Sequence, residues 1–328
     1  MNSDSPIPIL VTGGAGYVGA HACKALAARG YTPVVYDNLS LGHEAAVRWG
    51  PLEIGDIADR DRLDAVIARH RPAAVMHFAA FSCVGESVAD PGKYYRNNVT
   101  GTLSLLEAMR DHGIRGLVFS STAALYGTPE SIPISEDAPK APISPYGRSK
   151  WSAEAMIADV AAAHGLSTAV LRYFNASGAD PDGEIGERHQ PETHLIPLAL
   201  QAITNASPLT VFGDDYPTPD GTCIRDYVHV SDLANAHVLA LDQVLAGRVS
   251  ITLNLGIGYG FSVSEVIAAI ERVTGRSVPY DIGPRRDGDP PVLVASVDKA
   301  FDLLKWKPRH IELDSIVRTA WAWHQRGQ

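Results

Sequence analysis

Ile7-Pro8-Ile9-Leu10-Val11-Thr12-Gly13-Gly14-Ala15-Gly16-Tyr17-Val18-Gly19 reads as a strand that runs directly into a glycine-rich turn and a helix. The run from Ile7 to Val11 is apolar throughout rather than alternating, which suits a strand covered on both faces. Glycines 13, 16 and 19 form a G-x-x-G-x-x-G pattern. It permits a tight turn, lets the backbone approach a pyrophosphate and packs the helix closely on the strand. Tyr17 and Val18 begin a helix that reaches Arg29 and stops at Gly30, and its first-turn amides are free to face phosphate oxygens. Turns use glycine for many purposes, so the context carries the reading. A second strand, Pro33 to Tyr36, ends in Asp37, roughly 20 residues past the glycines. There a carboxylate can accept hydrogen bonds from an adenosine ribose and repel a 2′-phosphate, which favours NAD over NADP.

The alternation of strand and helix continues outward. Leu52 to Gly55 is a third strand, and Asp56-Ile57 stands where an adenine edge could be read. A helix is expected from Arg60 to His70, and a strand from Ala74 to Phe78. The small residues Ala79-Ala80 imply backbone lying close to the cofactor. A long helix is expected from Tyr94 to His112, although Asn97-Asn98-Val99-Thr100-Gly101 interrupts its apolar pattern. Gly116 to Phe119 is a fifth strand, running into Ser120-Ser121-Thr122. This order predicts an α/β fold with a doubly wound parallel (Rossmann) sheet and ligands at the carboxyl ends of the strands. Asp37 alone could be a surface acid and Thr122 a strand-end cap, but five such signals share one edge. From Asn175 onward, loops rich in Gly, Pro and Asp (178–191 and 213–221) introduce a smaller C-terminal α/β substrate domain. The expected division is 1–174 and 175–328, with segments near 223–255 returning to the first domain. Trp306, Trp321 and Trp323 are expected in the core.

Composition narrows the function. The 328 residues are 45% apolar and 20% charged, with a formal net charge of -9. That balance argues against a nucleic-acid surface, and any phosphate-bearing ligand must be held by local arginines and backbone amides. No segment is long enough to span a membrane. Three widely separated cysteines, Cys23, Cys83 and Cys223, lack metal-ligand spacing and suit a reducing cytoplasm. No metal is expected. Met1 to Ser5 lacks the basic start of a signal peptide.

The chemistry is concentrated in Ser144-Pro145-Tyr146-Gly147-Arg148-Ser149-Lys150. Ser144 can cap a helix and Pro145 suits its first position. Tyr146 and Lys150, four residues apart, then share one face. A tyrosine loses its proton near pH ~10, so bringing it to ~7 requires about 4 kcal/mol of differential stabilisation. A neighbouring ammonium and a cationic cofactor can supply it.

With Gly13-x-x-Gly16-x-x-Gly19, Ser120-Ser121-Thr122 and Tyr146-x-x-x-Lys150, the chain resembles the extended short-chain dehydrogenase/reductase family. Further runs resemble its members that epimerise UDP-hexoses: Gly85-Glu86-Ser87-Val88, Tyr94-Tyr95-Arg96-Asn97-Asn98-Val99, Leu171-Arg172-Tyr173-Phe174-Asn175, Phe212-Gly213-Asp214-Asp215-Tyr216, Arg225-Asp226-Tyr227-Val228-His229-Val230, Asn254-Leu255-Gly256 and Arg285-Arg286-Asp287-Gly288-Asp289. Thr122 stands where many members carry serine, and Ser82 where some carry lysine. The resemblance implies catalytic roles for Tyr146, Lys150 and Thr122. It adds Asn38, Asn97, Ser120 and Tyr173 to the cofactor contacts. It implies a UDP-sugar cleft lined by Asn175, His194 and Leu195. There Phe212 supports the uracil, Arg225 and Arg286 bind the diphosphate, Asp289 holds the ribose and Leu293 borders the sugar C2. A homodimer through the helices 94–112 and 145–164 rests on the resemblance alone. Sugar-nucleotide 4,6-dehydratases and decarboxylases share the first oxidation step but carry an acidic residue within two positions of Thr122. Here Ala123 and Ala124 occupy those positions. A non-catalytic NAD sensor on the same fold would be expected to lose the Tyr-Lys pair, which this chain keeps.

Overall fold

A computed structural model describes residues 6–205, 207–247, 250–286 and 288–327. The N-terminal stretch Met1 to Ser5 and Asp287 of the arginine-rich run lie outside the described residues. Six strands, β1 (Ile7–Thr12), β2 (Tyr31–Asp37), β3 (Leu52–Ile54), β4 (Ala74–His77), β5 (Gly116–Thr122) and β6 (Ser167–Tyr173), join the strand Ile251–Leu255 in one sheet. Their order is 251–255, β6, β5, β4, β1, β2, β3. The pairings β1–β2, β1–β4, β2–β3 and β4–β5 are parallel. The order reverses between β1 and β4, and such a sheet opens a crevice beyond the strand ends at that reversal.

The helices start where local chemistry says they should. Helix α1 (Tyr17–Ala28) begins after Gly16, with no side-chain cap and no acid in its first turn. Helix α2 (Arg60–His70) is capped by Asp59, whose side chain accepts from Arg62 N. The helix Pro145–His164 is capped by Ser144 and closed by Gly165 in the left-handed region. The long helix expected from Tyr94 to His112 is instead three pieces: Pro91–Tyr94, a π-helical stretch Tyr95–Gly101, and Thr102–Asp111. A wide turn of this kind inserts one residue per turn and redirects side chains. Here Gly101 packs on Ile57, where any Cβ would lie 2.6 Å from that side chain.

By contact density the chain forms two compact units. The first comprises 1–125, 140–172 and 234–253; the second comprises 126–139, 173–233 and 254–328. The first unit buries Leu10, Val34, Leu63, Ile67, Leu105, Met109 and Ile157 in one core. The second buries Ile196, Leu200, Val266, Ile270, Ile316 and Val317 around the helices Leu195–Asn205, Val263–Thr274 and Leu313–Arg326. Trp306 is in a core, with Nε1 donating to Asp232 O, whereas Trp321 and Trp323 are only half-buried. Their rings lie under the guanidinium groups of Arg276 and Arg188. No helix among the described residues is long and apolar enough to cross a membrane.

Candidate active site

The reversal point of the sheet is built from backbone. Thr12 pairs with His77, and the amides of Phe78 and Ala79 both donate to Thr12 O. Gly13, with φ +74°, turns away at that point, and a Cβ there would lie 2.5 Å from Ala79 N. A side chain is therefore excluded both by its own backbone and by the neighbouring chain. The first-turn amides of α1 (Tyr17, Val18, Gly19) face this turn without a protein cap. Asp37, at the end of β2, is buried and accepts from Ala15 N at 3.0 Å and Leu39 N at 2.9 Å. Burial raises its pKa, and these two amides work against that shift. Asn38 Nδ2 donates to Asp56 Oδ2 at 2.8 Å, so the ends of β2 and β3 are joined. A glycine cradle, uncapped amides and an acid at the next strand end together fit a dinucleotide.

The reactive side chains stand at the end of β5. Thr122 is its last residue, and Ala124 N donates to Thr122 Oγ1 at 3.1 Å in the turn Ala123–Leu125. The helix Pro145–His164 packs its first turn on this turn, because Gly147 presents no Cβ to Ala124 O. That contact sets Tyr146 where the Thr122 hydroxyl acts on its phenol. Burial raises the Tyr146 pKa, and the Thr122 hydroxyl works in the opposite direction. Lys150, one turn on, is buried with Nζ 4.4 Å from the Phe119 ring centre. Burial lowers its pKa to about 7, against the pull of Glu154. Neither group is stabilised in its charged form by protein alone, so a bound charge in this pocket would act on both.

Several residues that sequence reasoning passed over hold this arrangement. Asn98, in the π-helical stretch, bonds both the amide and the carbonyl of Phe81 and donates to Ser149 Oγ at 3.0 Å. Ser149 in turn donates to Tyr146 O. His77 bridges Thr12 Oγ1 at 2.6 Å and Thr102 Oγ1 at 2.9 Å. Burial, and then the Lys150 charge, lower its pKa to about 3, which keeps it neutral. Glu154 takes three bonds from Arg172, the shortest from Nη2 at 2.6 Å, and one from Ser121 at 2.5 Å. Asn97 is half-buried beside Asn98, to which its Nδ2 donates, and Ser120 is buried within β5. Thus Gly13, Gly16, Gly19, Asp37, Asn38, Asp56, Ile57, Phe78, Ala79, Ala80, Asn97, Ser120, Thr122, Tyr146 and Lys150 all belong to the first unit.

The other expected residues fall in the second unit. Tyr173 ends β6, and Asn175 starts the short strand Asn175–Ser177, parallel to Tyr227–His229. Arg225 lies in the middle strand of a three-stranded sheet and is in register with Leu293. Its guanidinium pairs with Asp289, so the two expected substrate contacts hold each other. The Arg286 guanidinium lies 3.9 Å from the Phe212 ring centre. Leu293 is half-buried rather than in a core. His194 and Leu195 start the helix Leu195–Asn205, and His194 is drawn into a cluster with Glu187 and Glu192.

Residues 9–256 match the profile of the NAD dependent epimerase/dehydratase family. The chain is 56% identical over 321 residues to a UDP-glucose 4-epimerase of Rhizobium meliloti, covering 97% of each protein. The crystal structure of UDP-glucose 4-epimerase from Brucella ovis in complex with NAD superposes with TM-score 0.94 at 54% identity, covering 96% of this chain and 97% of that one. A UDP-glucose 4-epimerase of Stenotrophomonas maltophila, solved with bound NAD and formylated UDP-arabinopyranose, gives 0.95 at 44% identity and covers 98% of each chain. With matches over nearly its whole length, the chain belongs to the NAD dependent epimerase/dehydratase family.

Proposed function

We propose that this protein interconverts UDP-galactose and UDP-glucose by inverting C4 of the sugar, with NAD as a cofactor regenerated in each turnover. The observation that carries the reading is Tyr146 beside Thr122, with Lys150 one turn away, at the carboxyl edge of the nucleotide-binding sheet. Bound NAD would supply the acceptor for the hydride that leaves the sugar C4 and the donor that returns it to the opposite face. Tyr146 Oη takes the proton of the 4-hydroxyl, and Thr122 holds that oxygen by a hydrogen bond. Lys150 binds the nicotinamide ribose and favours the Tyr146 phenolate when its ammonium is charged. After the 4-keto sugar has turned, Tyr146 returns the proton to O4. Asp37 binds the adenosine ribose, which selects NAD over NADP.

Arg225 and Arg286 bind the diphosphate with guanidinium forks. Asp289 then exchanges its partner Arg225 for the uridine ribose. The next two side chains after Thr122 are methyl groups, so no acid stands there for elimination or decarboxylation of the keto sugar. The same reading includes a homodimer, supported by the exposed apolar side chains Tyr95, Leu103 and Trp151 on the helical faces concerned. Three free thiols, Cys23, Cys83 and Cys223, support a reducing, cytoplasmic setting.

Incubating the protein with UDP-galactose and NAD and analysing the sugar nucleotide tests the reaction. UDP-glucose is the expected product. A 4-keto-6-deoxy sugar, a pentose or unchanged substrate would each reject it.

A further inference from the structure

The loop that leads into the helix Leu195–Asn205 carries a group of side chains of which only His194 is expected at the UDP-sugar cleft. Glu187, His189, Glu192 and His194 place one ligand atom each within 4.8 Å of one another. His194 Nδ1 lies 2.8 Å from Glu187 Oε1 and 3.0 Å from Glu192 Oε1. His189 Nδ1 lies 3.2 Å from Glu187 Oε1 and 3.7 Å from Glu192 Oε2. Around a tetrahedral ion with bonds of ~2.0–2.2 Å, neighbouring ligand atoms stand roughly 3.3–3.5 Å apart. Three of the four separations are shorter than that and one is longer, so an entering ion would spread the His194 contacts by about half an ångström.

Burial sharpens the question of what balances these anions. The side chains of Glu187 and Glu192 are only 6% and 5% exposed. Burying two carboxylates is costly unless their charge is met inside the protein. Glu192 Oε1 accepts from the amides of Thr193 at 2.7 Å and His194 at 2.9 Å, which fixes its orientation. Glu187 Oε1 differs. It is buried close to both imidazole nitrogens, yet accepts no hydrogen bond of proper geometry. A buried carboxylate oxygen that lies between two imidazole nitrogens without a hydrogen bond to either suits a metal ion.

We infer that Glu187, His189, Glu192 and His194 form a binding site for one divalent transition-metal ion. Two neutral imidazoles and two carboxylates carry a charge of about -2, which such an ion cancels. Nitrogen and oxygen donors in a four-membered, compact set suit zinc best, with cobalt and then manganese bound more weakly by the same donors. The ion would clamp residues 187–194 at the start of the helix Leu195–Asn205, as a structural site. The competing occupant is a pair of protons. With no ion present, burial opposes protonation of His189 and His194, but Glu187 and Glu192 outweigh it and raise these groups to about 9 and 10. The three cysteines lack metal-ligand spacing and do not enter this site. The signal that could have been read is Glu187-x-His189-x-x-Glu192-x-His194.

The test uses the full chain, stripped with a chelator, dialysed and titrated with zinc chloride against a chromophoric zinc indicator. Metal content per chain is measured in parallel by mass spectrometry. We expect one zinc per chain at micromolar or tighter affinity, and a higher melting temperature with zinc than without. Removing a group that only orients a ligand weakens metal affinity ~10–100-fold, so Glu187→Gln and His189→Asn should each weaken it at least that much. Circular dichroism confirms that each variant is folded. Should either variant fail to fold, the wild-type stoichiometry and affinity decide alone. Zinc bound only at millimolar concentration, less than one ion per chain, or folded variants with unchanged affinity would overturn the assignment and leave a proton-bridged cluster. The outcome is independent of the epimerase reading, because neither binding nor melting requires turnover.

Discussion

Gly147→Ala offers a sharp test of how the catalytic group is assembled. A Cβ at residue 147 would lie 2.6 Å from Ala124 O and 3.0 Å from Pro142 Cβ. The first partner is backbone in the turn Ala123–Leu125, so no side chain can swing aside. Restoring an ordinary contact of about 3.4 Å requires the helix start and that turn to separate by about 0.8 Å. Both members of the reactive pair ride on the surfaces being separated: Tyr146 precedes residue 147, and Thr122 Oγ1 is bonded to Ala124 N. A misplacement of about 1 Å can cost ~10²-fold in rate. A fall in kcat of roughly 30–100-fold is therefore expected, about 2–2.7 kcal/mol in the barrier. Overpacking of this kind costs ~1–3 kcal/mol of stability, partly offset by about 1 kcal/mol from the better helix propensity of alanine. The fold should survive with a melting point a few degrees lower. Initial rates of UDP-glucose formation, with thermal melts on the same samples, separate the two effects. Ser152→Ala, exposed on the same helix, is the control. A Gly147→Ala protein with wild-type kcat would refute the claim that this contact sets the Tyr146–Thr122 geometry.

Tyr146→Phe should bind NAD and UDP-galactose normally yet lose ~10²–10⁴-fold in kcat, since only the proton-transferring oxygen is removed; near-normal turnover would exclude Tyr146 as the base. Asp37→Ala should narrow the preference for NAD over NADP and weaken NAD itself, because Ala15 N and Leu39 N lose their acceptor. Titrating both cofactors measures this, and an unchanged ratio would contradict the role. Leu293→Gly should raise turnover of UDP-N-acetylglucosamine by roughly 10-fold or more, the value of a few methylenes of steric exclusion. The plain hexose reaction should stay nearly constant, and equal N-acetyl rates in both proteins would remove Leu293 as the gate. Burial raises the Asp226 pKa to about 6, against the amides of Ile257, Ala295 and Gly258. The folded state then holds this proton more tightly, so its contribution is full below pH ~4 and is lost as pH rises through about 6, roughly 3 kcal/mol in all. Urea midpoints from pH 4 to 7 should show that slope in wild type and a flatter profile in Asp226→Asn; parallel profiles would refute it.

What was legible in the sequence was what short stretches decide. The helix Pro145–His164 could be bounded to the residue because Ser144, Pro145 and Gly165 act within a few positions of its ends. The strand-end signals could be placed on one edge because a parallel sheet repeats the same direction in every unit. The π-helical turn at Tyr95–Gly101 could not be read this way. It goes with long-range contacts, Gly101 packed on Ile57 and Asn98 bonded to Phe81 and Ser149. The pairing of Arg225 with Asp289 is equally nonlocal. The resemblance assigned each of them a ligand but could not say that they hold each other. Glu154, four residues after Lys150, looks in sequence like the next polar position of a helix face. Only the fold shows that it is anchored by Arg172 and Ser121 and bears on the Lys150 charge. The case of Glu187 to His194 separates two kinds of ignorance. Its four polar residues lie within eight positions, so distance along the chain did not hide them. They have no helical or strand period that would set their directions, because the segment contains Pro191 and belongs to a loop. Composition could give the donors, whereas only the path of the backbone could turn four of them toward one point.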